Sequence, residues 1–406
     1  MCKLRYRTSL LATIITLFLA TQTKADDFFN LVATGSGGTT VASSGPDILH
    51  LTDNLIGLNS SYAQLVGQNV TSSLNWGGVP NAVVFTENAS QTSATLKFPT
   101  TGFTTTFVGT SAGDLQNQIH KFIERDDENA YAQFLKSMNQ LSTVATLDGN
   151  PQAATALIAD DVFTRFGIPN QQPTAYRTYS DGAYIALAGN GGSTRTDDLD
   201  GSWADFTLDT GARFGSHVAL SFGTTLAYRN TEGSEAYTVA EEVALPITFI
   251  NNHGNGISWQ VAPWAFAGLT ASEDQAAGGI LVGGGGTSSL ALHLDGLTVT
   301  LGDQISYTGN VSVNVDGYGF DTDIDQWILK DGLDASYLFP KTPFFVEGGI
   351  SYSNFLRRAS VPDYWTPTLG VGVAMGRFSS IRISYQGDFA KNYNQNGGEI
   401  ALVLVY

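Results

Sequence analysis

Five histidines, His50, His120, His217, His253 and His293, are spread along the chain with no His-Glu-x-x-His run and no pair at i and i+4. That leaves no zinc-hydrolase pattern. His293 and Asp295 stand two apart, which on a strand places both on one face, and serines are plentiful. A hydrolytic triad needs an acid, a His and a Ser in contact, and in a Ser-rich chain this spacing alone carries little information. Asp321-x-Asp323-x-Asp325 has the opening spacing of a calcium loop, but Gln326 stands where that loop needs Gly and Gly332 where it needs Glu. An acidic surface loop is the better description. Gly283–Gly286 is followed by no Lys-Ser/Thr pair and starts no helix pattern, so it is no phosphate loop. Glu241, Glu242, Arg213, Arg229, Glu347 and Arg382 are charges inside strand patterns. Facing a lumen they would line a pore, hold a plug, or neutralise one another. No catalytic residue, cofactor-binding residue or metal ligand is assigned, and no enzyme is expected.

The elements that carry these residues are mostly strands. Ala204, Phe206, Leu208, Ala212 and Phe214 alternate with Asp205, Thr207, Asp209, Gly211 and Arg213, and Ile381, Ile383 and Tyr385 alternate with Arg382, Ser384 and Gln386. Period two is the signature of a strand with two unlike faces. It persists from Tyr176 to Tyr406. A β-sandwich shows the same alternation with its apolar face inward, so other features must decide. Aromatic residues such as Trp203, Tyr228, Trp259, Tyr307, Phe339 and Phe344 fall near strand ends, as in the girdles of a membrane barrel. Tight connectors such as Phe339–Pro343 alternate with longer acidic ones, expected at Thr194–Gly201 and Asp321–Asp325. Twelve or thirteen strand-like runs are present, and the preference of bacterial barrels for even numbers selects 12. The runs near 277–294 and 311–329 parse poorly, so 10 and 14 stay open. The last run places Ile400, Leu402, Leu404 and Tyr406 in one apolar row, expected to close the barrel facing lipid.

Upstream, Lys3, Arg5 and Arg7 precede an apolar Ser9–Ala20 stretch and a Thr23-Lys24-Ala25 cleavage site, so 1–25 is expected to be a signal peptide removed after Ala25. Removing its four basic residues takes the net charge from −17 to −21. So acidic a chain has no footprint for nucleic acid. The lone Cys2 goes with the signal, which excludes disulfides and thiol chemistry. Residues 26–110 are rich in Gly, Ser, Thr and Asn with short β-like runs at Leu55–Leu58, Ala82–Phe85, Thr95–Phe98 and Phe103–Val108. Residues 111–170 turn helical. Ser111 caps a face of Leu115, Ile119, Phe122 and Ile123, then Tyr131, Phe134, Leu135, Met138 and Leu141 follow at helical spacing. A third helix is expected with Pro151 at its first position and Leu157, Ile158, Val162 and Phe163 on its face. None is long and apolar enough to span a bilayer.

Ser384-Tyr385-Gln386-Gly387-Asp388-Phe389, the hairpin tip with Tyr393 and Gly397-Gly398, and the final Ile-x-Leu-x-Leu-x-Tyr strand resemble the end of autotransporter β-domains. The preceding hairpin, Gly349–Tyr352 leading to Thr368–Gly372, resembles the same region. The likeness covers the last 60 residues or so sharply and the barrel only by architecture. It implies a 12-stranded outer-membrane barrel with a helical segment in its lumen, inserted by the barrel-assembly machinery with periplasmic chaperones, among outer-membrane lipid and lipopolysaccharide. This chain departs from that pattern in its short N-terminal region and its three helical pieces. The fold expected is mainly β: a barrel over 171–406, preceded by a small β-rich segment and amphipathic helices. The function expected is anchoring or display of the N-terminal region. The alternative is a porin-like or plugged channel with a periplasmic N-terminal domain.

Overall fold

The computed structural model describes residues 27–48, 51, 62–122, 128–168, 182–196, 199–215, 217–251, 256–275, 277–311, 313–315, 318–320, 323–375 and 379–405. The signal segment, the Leu55–Leu58 run, Ile123, His50, His253, Asp321 and Tyr406 lie outside the described residues.

Six strands form an antiparallel sheet in the N-terminal region: β1 (Phe29–Gly35), β2 (Thr40–Gly45), β3 (Val70–Trp76), β4 (Val79–Glu87), β5 (Ser93–Phe98) and β6 (Phe103–Val108), in the order β2-β1-β3-β4-β5-β6. One face carries a row of threonines, one per strand: Thr40, Thr34, Thr71, Thr86, Thr95 and Thr106. The other face is apolar and receives α1 (Ala112–Lys121) and α2 (Glu128–Leu141). Ser111 caps α1, its hydroxyl accepting from the Asp114 amide at 3.2 Å. Trp76 meets Phe29 and Phe134 edge-on at 5.0 and 5.1 Å, and Phe98 stacks on Phe134 at 4.4 Å. Glu87 is buried in this domain, and desolvation pushes its carboxyl up to about 7 from an ordinary 4.5. A raised folded-state pKa means full stability below the unfolded value, lost as pH climbs through the folded one. Glu87→Gln is therefore expected to raise the melting temperature followed by near-UV dichroism by several degrees at pH 8 and to leave it unchanged at pH 4. Equal effects at both pH values would contradict the assignment.

The barrel begins at β7 (Gly182–Thr196) and continues through β8 (Leu199–Phe214), β9 (Val218–Thr231), β10 (Ser234–Ala244), β11 (Ile247–Asn251), β12 (Gly256–Ser272), β13 (Ala277–His293) and β14 (Leu297–Val311). A small hairpin follows, β15 (Val313–Val315) with β16 (Tyr318–Phe320), and then β17 (Asp325–Leu338), β18 (Phe344–Phe355), β19 (Asp363–Ala374), β20 (Ser379–Ala390) and β21 (Tyr393–Val405). β10 and β11 both lie between β9 and β12 and are one strand interrupted at Leu245-Pro246, where proline has no N–H to donate. β21 pairs with β7 from Tyr393↔Thr196 to Val405↔Tyr184. The result is a closed antiparallel barrel of 12 strands, and closure removes every sheet edge. The stretches that parse poorly in sequence are β13, a single 17-residue strand, and the β15–β16 hairpin.

The outer wall is apolar. Phe222, Leu269, Leu301, Leu369, Val371 and Ile383 are each 51–66% exposed, more bare apolar wall than a soluble domain tolerates. Aromatic pairs ring it twice: Tyr228–Tyr237, Tyr307–Trp327 and Tyr352–Trp365 toward one mouth, Phe249–Trp259 and Tyr337–Phe339 toward the other. From Tyr307 to Leu297, which faces Tyr337, the band is about 25 Å tall for strands tilted about 40°. That is the height of a bilayer-spanning barrel.

Several expectations change. Thr194–Gly201 is no long connector: Thr196 pairs with Leu199, and Arg195 grips Asp200 at 2.7 Å. Asp200 stands within the strand pair rather than in a loop. Trp203 points inward, buried against Arg229. Pro151 precedes the third helix, whose N-cap is Ala153; Asn150 accepts the Gln152 amide in a tight turn before it. The expected β-rich N-terminal segment is a six-stranded sheet with its own core.

Candidate functional site: the filled lumen

The six-stranded domain sits on one mouth of the barrel. Leu199 and Ala277, from the β7–β8 and β12–β13 turns, are part of its core, and the Ile48 amide donates to the Asp274 carbonyl at 3.0 Å. Thr143 Oγ1 and Thr196 Oγ1 are 2.6 Å apart, and Lys136 pairs with Asp323. The chain then turns into the barrel. Gly149, at φ +88°, lies under the 356–362 connection, its carbonyl accepting from the Val361 amide and the Ser360 hydroxyl. An L-residue there would collide with the Asn139 carbonyl.

The third helix, α3 (Ala154–Val162), ends in a wide π turn, Phe163–Gly167, and occupies the lumen. It is apolar on two sides because it is walled on both. Ile158, Val162 and Phe166 pack on Ala240, Trp264 and Leu281, while Ala156 and Ala159 pack on Ile328 and Tyr364. Its polar groups find partners on the wall. Gln304 Nε2 donates to the Ala159 carbonyl at 2.8 Å. Lys330 pairs with Asp160, which also accepts from the Tyr364 hydroxyl at 3.1 Å. Arg165 is the hub: its guanidinium meets Asp161 at 2.9 Å, Asp209 at 3.3 Å and Glu242. Asp209 in turn accepts from Tyr184 and Ser221, each at 2.7 Å. Gly223 lies under the guanidinium, where a Cβ would come within 2.4 Å of it. The π turn is what swings Arg165 to this place, a use such wide turns often have.

Of the charges singled out in sequence, Glu242, Arg229, Glu347 and Arg382 are buried in the lumen and Arg213 turns inward to Thr248. Arg229 pairs with Asp205, and Arg382 with Glu347 and Glu399. Glu241 is different: it stands on the outer face, accepting from Thr224 at 3.0 Å. His293 Nε2 lies 2.8 Å from Ser258 Oγ and Nδ1 3.3 Å from Thr298 Oγ1, while Asp295 is in the exposed turn beyond the strand. Asp325 pairs with Arg357 at 3.2 Å. In the last strand, Ile400, Leu402 and Leu404 alternate with buried Glu399 and Val403. Sequence reasoning missed Asp160, Asp161, Arg165, Lys330 and Gln304. The available signal was Arg165 itself, the one basic residue of 145–168, set in an apolar helix.

No family model and no curated relative matches this chain. Solved structures do. The translocator domain of autotransporter NalP from Neisseria meningitidis is 13% identical over 62% of this chain and 97% of its own, with a TM-score of 0.42. The transport unit of autotransporter AIDA-I from Escherichia coli is 12% identical over 70% and 99%, at 0.41. An outer membrane channel from Pseudomonas putida F1 is 11% identical over 58% and 99%, at 0.43.

Proposed function

We propose that this protein is an outer-membrane anchor of the autotransporter type, which holds its six-stranded domain at the cell surface on a chain threaded through its own barrel. One observation supports this above all: the capping domain lies at one mouth and the start of β7 at the other, and α3 with its π turn, which stand between them in the sequence, occupy the lumen. Bacterial barrels keep short turns on the periplasmic side and longer loops outside. The two longest connections, 312–324 and 356–362, fall at the capped mouth. In that orientation the cap is external, surrounded by lipopolysaccharide. The reading as a channel with a periplasmic domain requires the reverse. The role is passive, with no enzymatic step. Assembly would use the barrel-assembly machinery and periplasmic chaperones, engaging the row that includes Ile400, Leu402 and Leu404.

The Gly38 turn, at the far end of the cap from the barrel, is the place for a probe. An epitope inserted there is expected to be labelled by antibody, and cut by added protease, on intact cells. Protection until the outer membrane is permeabilised would rule out surface display.

A further inference from the structure

The plug does not fill the lumen evenly. Against β10, β12 and β13 it meets large or close-fitting side chains, but the inner faces of β7 and β21 offer Ala186, Ala188 and Ala401. Over these alanines, along the seam where β21 joins β7, lies a cavity of about 100 Å³. Its lining runs along β21 from Gln395 to Val403, about 26 Å of strand, so the space is no wider than one aliphatic chain.

Six carboxylates and three guanidiniums line it. Among the described residues the acids outnumber their partners. Arg165 serves Asp161, Asp209 and Glu242, and Arg382 serves Glu347 and Glu399. Asp388 accepts the Thr366 hydroxyl at 2.7 Å and, among the described residues, forms no ion pair. Buried negative charge in such excess is costly unless something positive joins it. Ser380 adds an observation independent of charge. It is 1% exposed and lines the cavity, and its hydroxyl has no hydrogen-bond partner in the protein. A buried hydroxyl left so marks a place where a ligand or water belongs.

The placement of these groups selects the cation. Among the described residues no three ligating side chains converge as a metal ion requires. The groups are instead strung out along the seam: Asp388 faces Gln395, Glu399 follows four residues along β21, and Ser380 faces Val403 after four more. Each step is about 13 Å of strand.

We propose that the seam encloses a linear aliphatic polyamine. Its ammonium groups donate to Asp388 at one end, to Glu399 midway and to the Ser380 hydroxyl at the other, while its methylenes lie on Ala188 and Ala401. Such a molecule carries positive charge at intervals and is one chain wide, as the cavity is. It needs no opening at either mouth, since it is enclosed when α3 docks. The binding is separate from display and rests only on α3 occupying the lumen.

The test uses the full chain, folded in detergent with spermine, desalted and then denatured, and the released amine is counted by mass spectrometry. Near-stoichiometric retention is expected, with putrescine retained at least tenfold less because it cannot reach along the seam. Magnesium offered in its place, and measured by elemental analysis, should not be retained. Ala188→Leu, which fills the cavity, is expected to cut spermine retention at least tenfold while residues 142–168 stay protected from protease. Asp388→Asn should cut it several-fold, and Ile383→Val, on the outer face of β20, should leave it unchanged. Retention indifferent to both Ala188→Leu and Asp388→Asn, or magnesium retained as well as spermine, would overturn the proposal. A protected plug with no amine defeats this inference alone, and a parent whose plug is cut by protease defeats the filled lumen with it.

Discussion

Arg165→Ala is expected to release the plug. The substitution removes the cation that three carboxylates share and leaves Asp209 and Glu242 buried with an uncompensated charge. Breaking a buried ion pair from one side costs about 3–5 kcal/mol, and here the cheapest relief is for water to enter as α3 withdraws. The measurement is limited proteolysis of the reconstituted barrel. Residues 142–168, protected in the parent, should be cut, and single-channel conductance should rise well above that of the parent. Adding Glu242→Gln to Arg165→Ala should restore part of the protection, since it removes one orphaned charge. Full protection in the single variant would show that packing, and not Arg165, retains the helix.

The second large effect is expected at Gly302. A Cβ built there lies 2.3 Å from the Gly167 carbonyl oxygen, so the end of the plug rests directly on the β14 backbone. Gly302→Val must displace either the wall or the plug, and overpacking of this kind typically costs about 1–3 kcal/mol. Because the wall is a closed ladder and the plug a single segment, the plug should yield, with proteolysis and conductance changing as for Arg165→Ala. Gly286→Val is the matched control. Gly286 is on the adjacent strand, points outward and has nothing within 4 Å of an added Cβ, so folding and plug protection should not change. If both valine variants behave alike, the contact at Gly302 does not position the plug.

The barrel was legible because a membrane sharpens the contrast between faces: Phe222, Leu226 and Tyr228 against Ser221, Thr225 and Arg229 admit one period only. The contrast fades where the plug leans on the wall. On β10 the inward residues include Ala236, Ala240 and Ala244, apolar like the outward Val239 and Val243, so the adjacent Glu241 and Glu242 could not be assigned to faces from the pattern. The cap was obscured for a related reason. Its exposed face is threonine, which favours strands yet contrasts weakly with the Val and Ala opposite it. The helices themselves were legible, but not where α3 docks: Arg165 meets Asp209 and Glu242 far along the chain, and no local spacing encodes such contacts.

The pairing of β21 with β7 closes a ring around an earlier part of the same chain. The cap on one side is six strands across, about 24 Å at ordinary strand spacing, while the lumen admits little more than one helix about 10 Å wide. A folded cap cannot pass through that ring, so either the cap folds after its chain has been drawn through, or the seam zips shut with the thread already inside. The finished molecule is an interlocked object, like a bead on a stoppered string. A pull on the cap from outside therefore loads the ion pairs around α3 first and then drags on the far end of β7. Its mechanical strength is that of the seam.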